Sequence, residues 1–369
     1  MMRSTRRLTA LTATTMTLCL LSTACGGGGD GEAVQKSGEL AVDGEVIASA
    51  ELMNAAQEEK AVNVYTSLNE VSNDKVAEAF EKDTGLTVEG IRAPTGRLME
   101  RIQSEAGSGA LPADVITMPD DSLFQILVKK NLFTKHAVPA DKAIPEEYKS
   151  PDGLYYALIS SPTVIAYNSK AIPTDQAPKA WADLPKAGAA GHKIGMVHAS
   201  QGAGGWGLAL FTRKKFGKDY WQRLAATKPR LESSVGALAE KLGRGEVAVI
   251  AGRPPEIGEL KEQGAPVDFV WPEDGTPMFN FFIGRVAKGK HPNAAQVYLN
   301  WSMSKRGQSV LATEGGDYPV HPQAAKPRVQ GKELPAFDSV RPALPKTEDW
   351  LGLRNSWIAE WNTVFGYRS

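Results

Sequence analysis

The spacing of apolar residues changes repeatedly between two periods in the first third of the chain. A period of two, typical of a half-buried strand, occurs at 62–66, and further strands are predicted at 86–88 and 114–118. A helical period, with apolar residues on one face, occurs at 48–60, 76–85 and 95–102. Strands and helices that alternate in this way predict an α/β fold with a parallel sheet.

A second series of elements follows. Its strands are predicted at 155–159, 163–167, 193–198, 247–251 and 278–283. Its helices are predicted at 206–216, 293–303 and 306–312. A glycine-rich loop separates the strand at 193–198 from the helix that starts at Trp206. With 369 residues, the chain has the length of two domains of ordinary size.

The first residues have the pattern of a secretory signal. Arg3, Arg6 and Arg7 precede an apolar run at 8–21, which is too short to span a bilayer as a stable helix. The following Ser-Thr-Ala-Cys resembles the lipobox of bacterial lipoproteins, in which the chain is cut before a cysteine that is then acylated. We therefore predict a signal peptide at 1–24 and lipidation of Cys25. The alternative is an ordinary signal with an incidental cysteine.

A flexible tether is predicted at 25–44, because four glycines follow Cys25 and offer no side chains to bury. The only other cysteine is Cys19, within the signal, so the mature chain has no disulfide. The signal contains three of the 42 basic residues, which leaves 39 against 42 acidic ones. A net charge of −3 argues against nucleic-acid binding. No later apolar run is long enough to span a membrane.

Six short segments carry a family resemblance. They are AAQEEKAVNVYTS at 55–67, AFEKDTG at 79–85, PTGRL at 94–98, ADV at 113–115, VIAYN at 164–168 and DYPV at 317–320. In this order and spacing they resemble the extracellular solute-binding proteins of ABC importers. The most similar branch is the one that contains ferric-ion binders and 2-aminoethylphosphonate binders.

The resemblance implies a type 2 periplasmic-binding-protein fold, with two α/β lobes, two hinge-strand crossings and a ligand cleft between the lobes. Lobe one is expected at 45–160 plus 280–369 and lobe two at 161–279, with crossings at 163–167 and 278–283. The resemblance also implies a monomer without a cofactor. It would be lipid-anchored at the outer face of the cytoplasmic membrane, at the cell surface or in the periplasm. Its closed form would be recognised by a membrane permease.

Ligand-binding candidates lie where strands end and helix N-termini begin, because free N–H groups and the helix dipole attract anions there. They are Ser67, Thr95, Gly96, Ser161, Ser200, Gln201, Gly202, Ala203, Gly204, Arg253 and Tyr318. Glycine lets the backbone approach a ligand closely, and hydroxyls add donors. The alternative for Ser67, Thr95 and the 200–204 segment is plain helix capping. Tyr318 could equally belong to the core.

Arg253 decides between two cargoes. The resemblance implies that ferric binders carry a tyrosine pair after the strand matching 247–251, where this chain has Gly-Arg-Pro-Pro. Tyr155 and Tyr156 form a pair elsewhere, but strand geometry turns one of them away. An arginine at a strand end offers a fork for a carboxylate, phosphate or phosphonate. We therefore predict a small anionic or zwitterionic ligand. The alternative ligand is a ferric ion or chelate. The alternative role for Arg253 is that of a surface residue that pairs with the acid at 256 or 259.

Other classes have weaker support. The sequence HASQG at 198–202 is similar to a nucleophile elbow, with His291 or His321 as the partner of Ser200. No histidine spacing fits a metal site. The adjacent acids at 120–121 are interpreted as solvated or capping residues. Aromatic residues at helical spacing in 350–365 predict a helix packed on lobe one. We predict a binding protein without catalytic or metal residues, and a sensory lipoprotein of the same fold stays an alternative.

Overall fold

The computed structural model describes residues 34–36 and 38–367. Its strands are β1 Val34–Lys36, β2 Glu39–Val42, β3 Glu45–Ala48, β4 Ala61–Thr66, β5 Thr87–Arg92, β6 Val115–Pro119, β7 Tyr156–Pro162, β8 Val164–Asn168, β9 Ile194–Val197, β10 Arg230–Glu232, β11 Val249–Gly252, β12 Val267–Val270, β13 Thr276–Arg285, β14 Tyr318–Pro319, β15 Arg328–Val329, β16 Lys332–Glu333 and β17 Pro342–Ala343.

The helices are α1 Ala50–Glu59, α2 Glu70–Thr84, α3 Thr95–Gly107, α4 Asp121–Lys129, α5 Leu184–Ala189, α6 Gly202–Phe216, α7 Lys218–Ala226, α8 Val235–Gly243, α9 Pro254–Glu262, α10 Pro292–Met303, α11 Lys305–Thr313, α12 Thr347–Gly352 and α13 Arg354–Phe365. Short 3₁₀ turns occur at 139–142, 146–148, 174–176, 181–183 and 337–340.

Capping residues begin and end the early helices as their chemistry predicts. Ser49 precedes α1 and accepts a hydrogen bond from the Leu52 amide at 3.2 Å. Gly85 ends α2 with a φ of 72°, a conformation that costs glycine little. The face of α3 formed by Leu98, Met99 and Ile102 is buried, as its spacing predicts.

Two sheets organise the described residues. The first has the order β14-β7-β13-β6-β4-β5, and the second has the order β10-β9-β11-β8-β12. The strands β4, β5 and β6 are parallel, but β7 and β13 are antiparallel neighbours. In the second sheet, β9, β10 and β11 are parallel and β8 is antiparallel to β11. Both sheets are therefore mixed, and the expected parallel arrangement holds for β4 to β6 and for β9 to β11.

The chain passes between the two sheets twice. Thr163 alone separates β7 in the first sheet from β8 in the second, and residues 271–275 lead from β12 back to β13. These passages lie beside the predicted crossings, which place 163–167 and 278–283 slightly too far along the chain. The exact lobe boundaries stay a prediction.

The predicted tether at 25–44 is wrong for its last residues. β2 pairs with β3, and the side chains of Leu40 and Val42 are fully buried against the helical layer of the first sheet. Apolar side chains that find such a surface fold onto it, because their burial is favourable. The predicted signal peptide, Cys25 and the start of the tether lie outside the described residues.

The C-terminal helix packs on the second sheet, not on lobe one as predicted. α13 lies against α6 and α7, and Glu360 forms ion pairs with Arg213 and Lys218. The helical spacing was sufficient to predict the helix, but it could not identify the surface that receives it. Among the described residues, no helix combines the length and hydropathy needed to cross a bilayer.

Candidate functional site

The loop after β4 is held in place from inside the first sheet. The Thr117 hydroxyl donates to the Thr66 hydroxyl at 2.7 Å, and both side chains are buried. The amide of Ser67 donates to the carbonyl of Thr117 at 3.1 Å, and the amide of Leu68 donates to Thr66 Oγ1 at 3.2 Å. Ser67 is therefore fixed at the carboxyl end of the parallel strands, where ligands bind in sheets of this kind.

Thr95 stands beside Ser67 at the start of α3. Its hydroxyl is 3.4 Å from that of Ser67 and donates to it. Pro94 precedes the helix and cannot cap it with a side chain, so the first turn of α3, including the exposed Gly96, lies open. The structure thus brings three predicted residues of the first sheet to one place.

The start of α6 faces this place from the second sheet. A Cβ on Gly202 would lie 4.0 Å from Thr95 Oγ1, which shows how closely the two sheets approach. α6 begins at Gly202, four residues earlier than predicted, so the glycine-rich segment is the first helical turn and not a loop. Gln201 precedes the helix without a side-chain cap. Within the described residues, no loop carbonyl or side chain accepts from the amides of 202–204.

Two contacts fix the position of this helix start. A Cβ on Gly205 would lie 2.4 Å from the carbonyl oxygen of His198, so only glycine permits the approach. The His198 Nδ1 accepts from the amide of Ser200 at 3.1 Å and is 2.7 Å from its hydroxyl. Burial lowers the pKa of His198, which favours the neutral ring that this acceptor role requires.

The hydrolase alternative is wrong about its histidines. His291 bonds to Asp114 at 2.7 Å, and His321 lies 3.3 Å from Glu45. Among the described residues, neither ring is hydrogen-bonded to Ser200, whose hydroxyl lies 2.7 Å from Nδ1 of the local His198.

Arg253 is the clearest correction to the sequence analysis. It follows β11 as predicted, but only 6% of it is exposed, so it is no surface residue. Its Nη2 donates to both oxygens of Asp317 at 2.7 and 2.8 Å, and its Nη1 donates to Glu256 at 2.8 Å. Its Nε donates to the hydroxyl of Ser161, which itself donates to Asp317 at 2.7 Å. The fork predicted for a ligand is thus filled by the protein's own acids, and the Ser161 hydroxyl is engaged in the same network.

Burial and the charges of this network shift the pKa values of Arg253 and Glu256. Burial acts against a charged guanidinium, but the negative charges of Asp317 and Glu256 outweigh it and raise the pKa of Arg253. Burial raises the pKa of Glu256, whose Oε2 has no hydrogen-bond partner among the described residues. Because Asp317 and Glu256 share one guanidinium, Glu256, which accepts one bond from it, is less well stabilised than Asp317, which accepts two.

Two of the predicted site residues line the same small cavity. Gly204 of α6 and Arg253 both line it, together with Thr163 and Phe279 from the hinge region. The structure therefore places Arg253 beside the first turn of α6, and Thr95 close to Gly202 at the start of the same helix.

Tyr318 is not among the residues that line this cavity. Its hydroxyl donates to the carbonyl of Pro335 at 2.9 Å, and its ring packs edge-on against Phe337. Burial raises the pKa of Tyr318. Its ring lies in a buried cluster with Met278 and Val340.

The tyrosine pair at 155–156 splits as strand geometry predicts. Tyr155 donates to Asp121 at 3.2 Å, whereas Tyr156 donates to Asp141 at 2.9 Å. Burial raises the pKa of both hydroxyls, which disfavours the phenolate form. In the part of the chain that the structure describes, no three histidine, cysteine or acidic side chains converge as metal ligands.

Sequence reasoning missed three residues near the site. Asp317 was noticed only within a family motif, and its pairing with Arg253 has no local signal. Arg92 ends β5 and donates to the carbonyl of Leu68 at 3.0 Å, which places a cation beside Ser67. An arginine at the carboxyl end of a strand next to Thr95 could have been found by the same rule that selected Arg253. Asp120 caps α4 as predicted, but it is 1% exposed and not solvated.

Comparison with known proteins identifies the family to which the chain belongs. The family described as bacterial extracellular solute-binding protein matches residues 75–338, and the chain belongs to this family. A structure of the periplasmic binding protein AfuA from Actinobacillus pleuropneumoniae, with exogenous fructose-6-phosphate bound, superposes with a TM-score of 0.69 at 20% identity. It covers 84% of this chain and all of that one. The predicted two-lobed type 2 periplasmic-binding-protein fold is confirmed.

Two relatives differ in the solute that their names mention. A periplasmic protein of Salmonella paratyphi A named for binding 2-aminoethylphosphonate is 25% identical over 299 residues, which cover 78% of this chain and 86% of that protein. Iron uptake protein A1 of Synechocystis is 22% identical over 303 residues, covering 73% and 79%. The predicted branch is therefore confirmed, and both predicted cargoes have a relative in it.

Proposed function

We propose that this chain is the solute-binding component of an ABC importer and that it captures a small anionic or zwitterionic solute such as a phosphonate, phosphate ester or carboxylate. The observation that supports this most is the approach of Ser67 and Thr95 to the start of α6 at Gly202. Hydroxyls on one side and helix amides without a side-chain cap on the other can each donate a hydrogen bond. Such a set of donors suits an anion.

The helix dipole and one cation strengthen the preference for negative charge. α6 has 15 residues, and the partial positive charge of its N-terminus lies at Gly202. Arg92 lies behind the Ser67 loop through its bond to the Leu68 carbonyl. A solute held between the sheets would be shielded from water, which strengthens each of these interactions.

Arg253 has a supporting role in this proposal. Its side chain is held by Asp317, Glu256 and Ser161, so it is not available as a free fork. It lines a small cavity beside the first turn of α6. Its bonds to Ser161 and Asp317 join the second sheet to the first near the proposed solute. In this proposal Arg253 supports the site through its bonds to Ser161, Asp317 and Glu256.

Calorimetric titration tests the proposal. The probes are 2-aminoethylphosphonate, fructose 6-phosphate, a dicarboxylate and Fe(III), each added to the wild type and to Thr95→Val. We expect one of the first three to bind, and loss of the Thr95 hydroxyl to weaken binding about tenfold. Thr87→Val is the matched control, because this exposed threonine begins β5 at the opposite end of the strand. Binding of Fe(III) alone, with a coloured phenolate band, would select the ferric alternative instead.

We also propose that the protein is anchored through Cys25 and delivers its solute to a membrane permease. The relatives' names and the lipobox-like sequence support this. A single acyl chain binds membranes only weakly, whereas a lipoprotein's several chains hold firmly. Cys25→Ala should therefore move the protein from the membrane fraction to the soluble one. A wild-type protein that is already soluble would refute the anchor, and a neighbouring sensor kinase gene would favour sensing over transport.

A further inference from the structure

We call helices α12 and α13 the C-terminal pair, and α13 is fixed to the helices of the second sheet. Glu360 lies 3.3 Å from Arg213 and 3.2 Å from Lys218. The ring of Trp361 is 4.6 Å from that of His198, which follows β9. The guanidinium of Arg213 also lies 5.1 Å from the ring of Trp357. These contacts lie in the middle of α13, so this helix should move with the second sheet.

The same pair reaches the first sheet through α12, which packs on α4, and its bonds there include those to Asp120, directly after β6. The indole nitrogen of Trp350 donates to Asp120 Oδ1 at 2.7 Å. Arg354 Nη1 lies 2.7 Å from Asp120 Oδ2, as an ion pair without the angles of a directed hydrogen bond. Asp120 is 1% exposed and Trp350 is 3% exposed, so water does not compete for these contacts.

A third contact ties this junction to α6. The indole nitrogen of Trp206 donates to the carbonyl of Trp350 at 3.1 Å, and the Arg354 guanidinium lies 5.7 Å from the Trp206 ring. Gly207, one residue later on α6, leaves room for the Trp350 ring, which a Cβ there would approach to 3.5 Å. The helix that offers its N-terminus at Gly202 is therefore joined, through Trp350, to the first sheet.

The backbone of Asp120 shows that its position is imposed by its neighbours. It has a φ of 85° and a ψ of 96°, a backbone conformation that residues other than glycine rarely adopt. Strain of this kind persists where surrounding contacts outweigh it. The contacts here are those from Ser122, Trp350 and Arg354.

We propose that the C-terminal pair is a latch that holds the cleft closed through Asp120. Asp120 lies at the same edge of the first sheet as Ser67 and Thr95, since all three follow parallel strands. Opening the cleft separates the second sheet from this edge, and it must then break the bonds from Trp350 and Arg354 to Asp120. The latch stabilises the closed form whether or not a solute is present.

Distance measurement between spin labels tests the latch on the full chain. Cys19→Ser and Cys25→Ser remove both native thiols, and Glu100→Cys on α3 and Glu240→Cys on α8 place labels at exposed sites on opposite sheets. We expect Trp350→Phe, which loses the indole donor, to raise the ratio of open to closed distances about tenfold. Asp120→Asn, which keeps an acceptor for Trp350 but loses the charge that pairs with Arg354, should shift it less.

Trp357→Phe is the matched control, because this tryptophan lies on the same pair but contacts Arg213 and not Asp120. It should leave the distances unchanged. Unchanged distances in both Trp350→Phe and Asp120→Asn, or an equal shift in Trp357→Phe, would overturn the latch. If Trp350→Phe fails to fold, Asp120→Asn decides alone. No solute is added, so the result is independent of the proposed cargo.

Discussion

Removing the charge of Asp317 leaves the Arg253 guanidinium buried with a single negative partner. The Arg253 side chain is 7% exposed and that of Asp317 is 2% exposed, and Nη2 contacts both carboxylate oxygens. Breaking a buried ion pair by removing one partner costs about 3–5 kcal/mol. Glu256 stays 2.8 Å from Nη1 and compensates in part, so we expect Asp317→Asn to cost about 3 kcal/mol of unfolding free energy.

Urea unfolding followed by tryptophan fluorescence measures this loss. Glu256→Gln is the matched variant, since it changes the other acid on the same guanidinium. Burial raises the pKa of Glu256 and its Oε2 has no partner among the described residues, so its charge contributes less. We expect a cost of about 1 kcal/mol or less for Glu256→Gln. A cost below about 1 kcal/mol for Asp317→Asn, or equal costs for the two variants, would refute this reasoning.

Two further predictions concern the segment that holds the α6 start. Gly205→Ala places a Cβ against the carbonyl of His198, so it should lower the free energy of unfolding by about 1–3 kcal/mol and weaken solute binding. Gly236→Ala, whose Cβ would meet nothing within 4 Å on α8, should raise the free energy of unfolding by about 0.5–1 kcal/mol. Thermal unfolding of the two variants measures both effects. Because burial lowers the pKa of His198, the unfolded chain binds a proton more readily below about pH 6.5. That contribution to stability is present above this pH and lost as pH falls through the lowered pKa, and His198→Asn, which retains an acceptor for Ser200, should remove it. Melting curves at pH 7.5 and 5 would contradict this if both proteins lost the same amount.

The sequence was sufficient to predict the first helices and strands, because their signals are local, whereas α4, α7, α8 and α9 were not predicted from it. Ser49 and Gly85 cap their helices by backbone chemistry, and the strands β4 and β6 are defined by the spacing of their own side chains. The same local rule selected Ser67, Thr95 and the glycines of α6 as residues at strand ends. The structure brings these residues together, because the carboxyl ends of strands meet across the two sheets.

The partners of buried charges could not be predicted from the sequence. Asp317 lies 64 residues from Arg253, and only the fold brings them within hydrogen-bond distance. The same holds for Asp120 and Trp350, which are 230 residues apart. A helical pattern identifies an apolar face but not the surface that covers it, so α13 could be placed on the wrong lobe.

Native mass spectrometry of the protein purified from its own host tests the central claim most directly. We predict a non-covalent adduct with the mass of a small organic anion, which is lost on denaturation and weakened in Thr95→Val. An adduct with the mass of iron, retained in Thr95→Val and lost when Tyr155 or Tyr156 is changed to phenylalanine, would contradict the account.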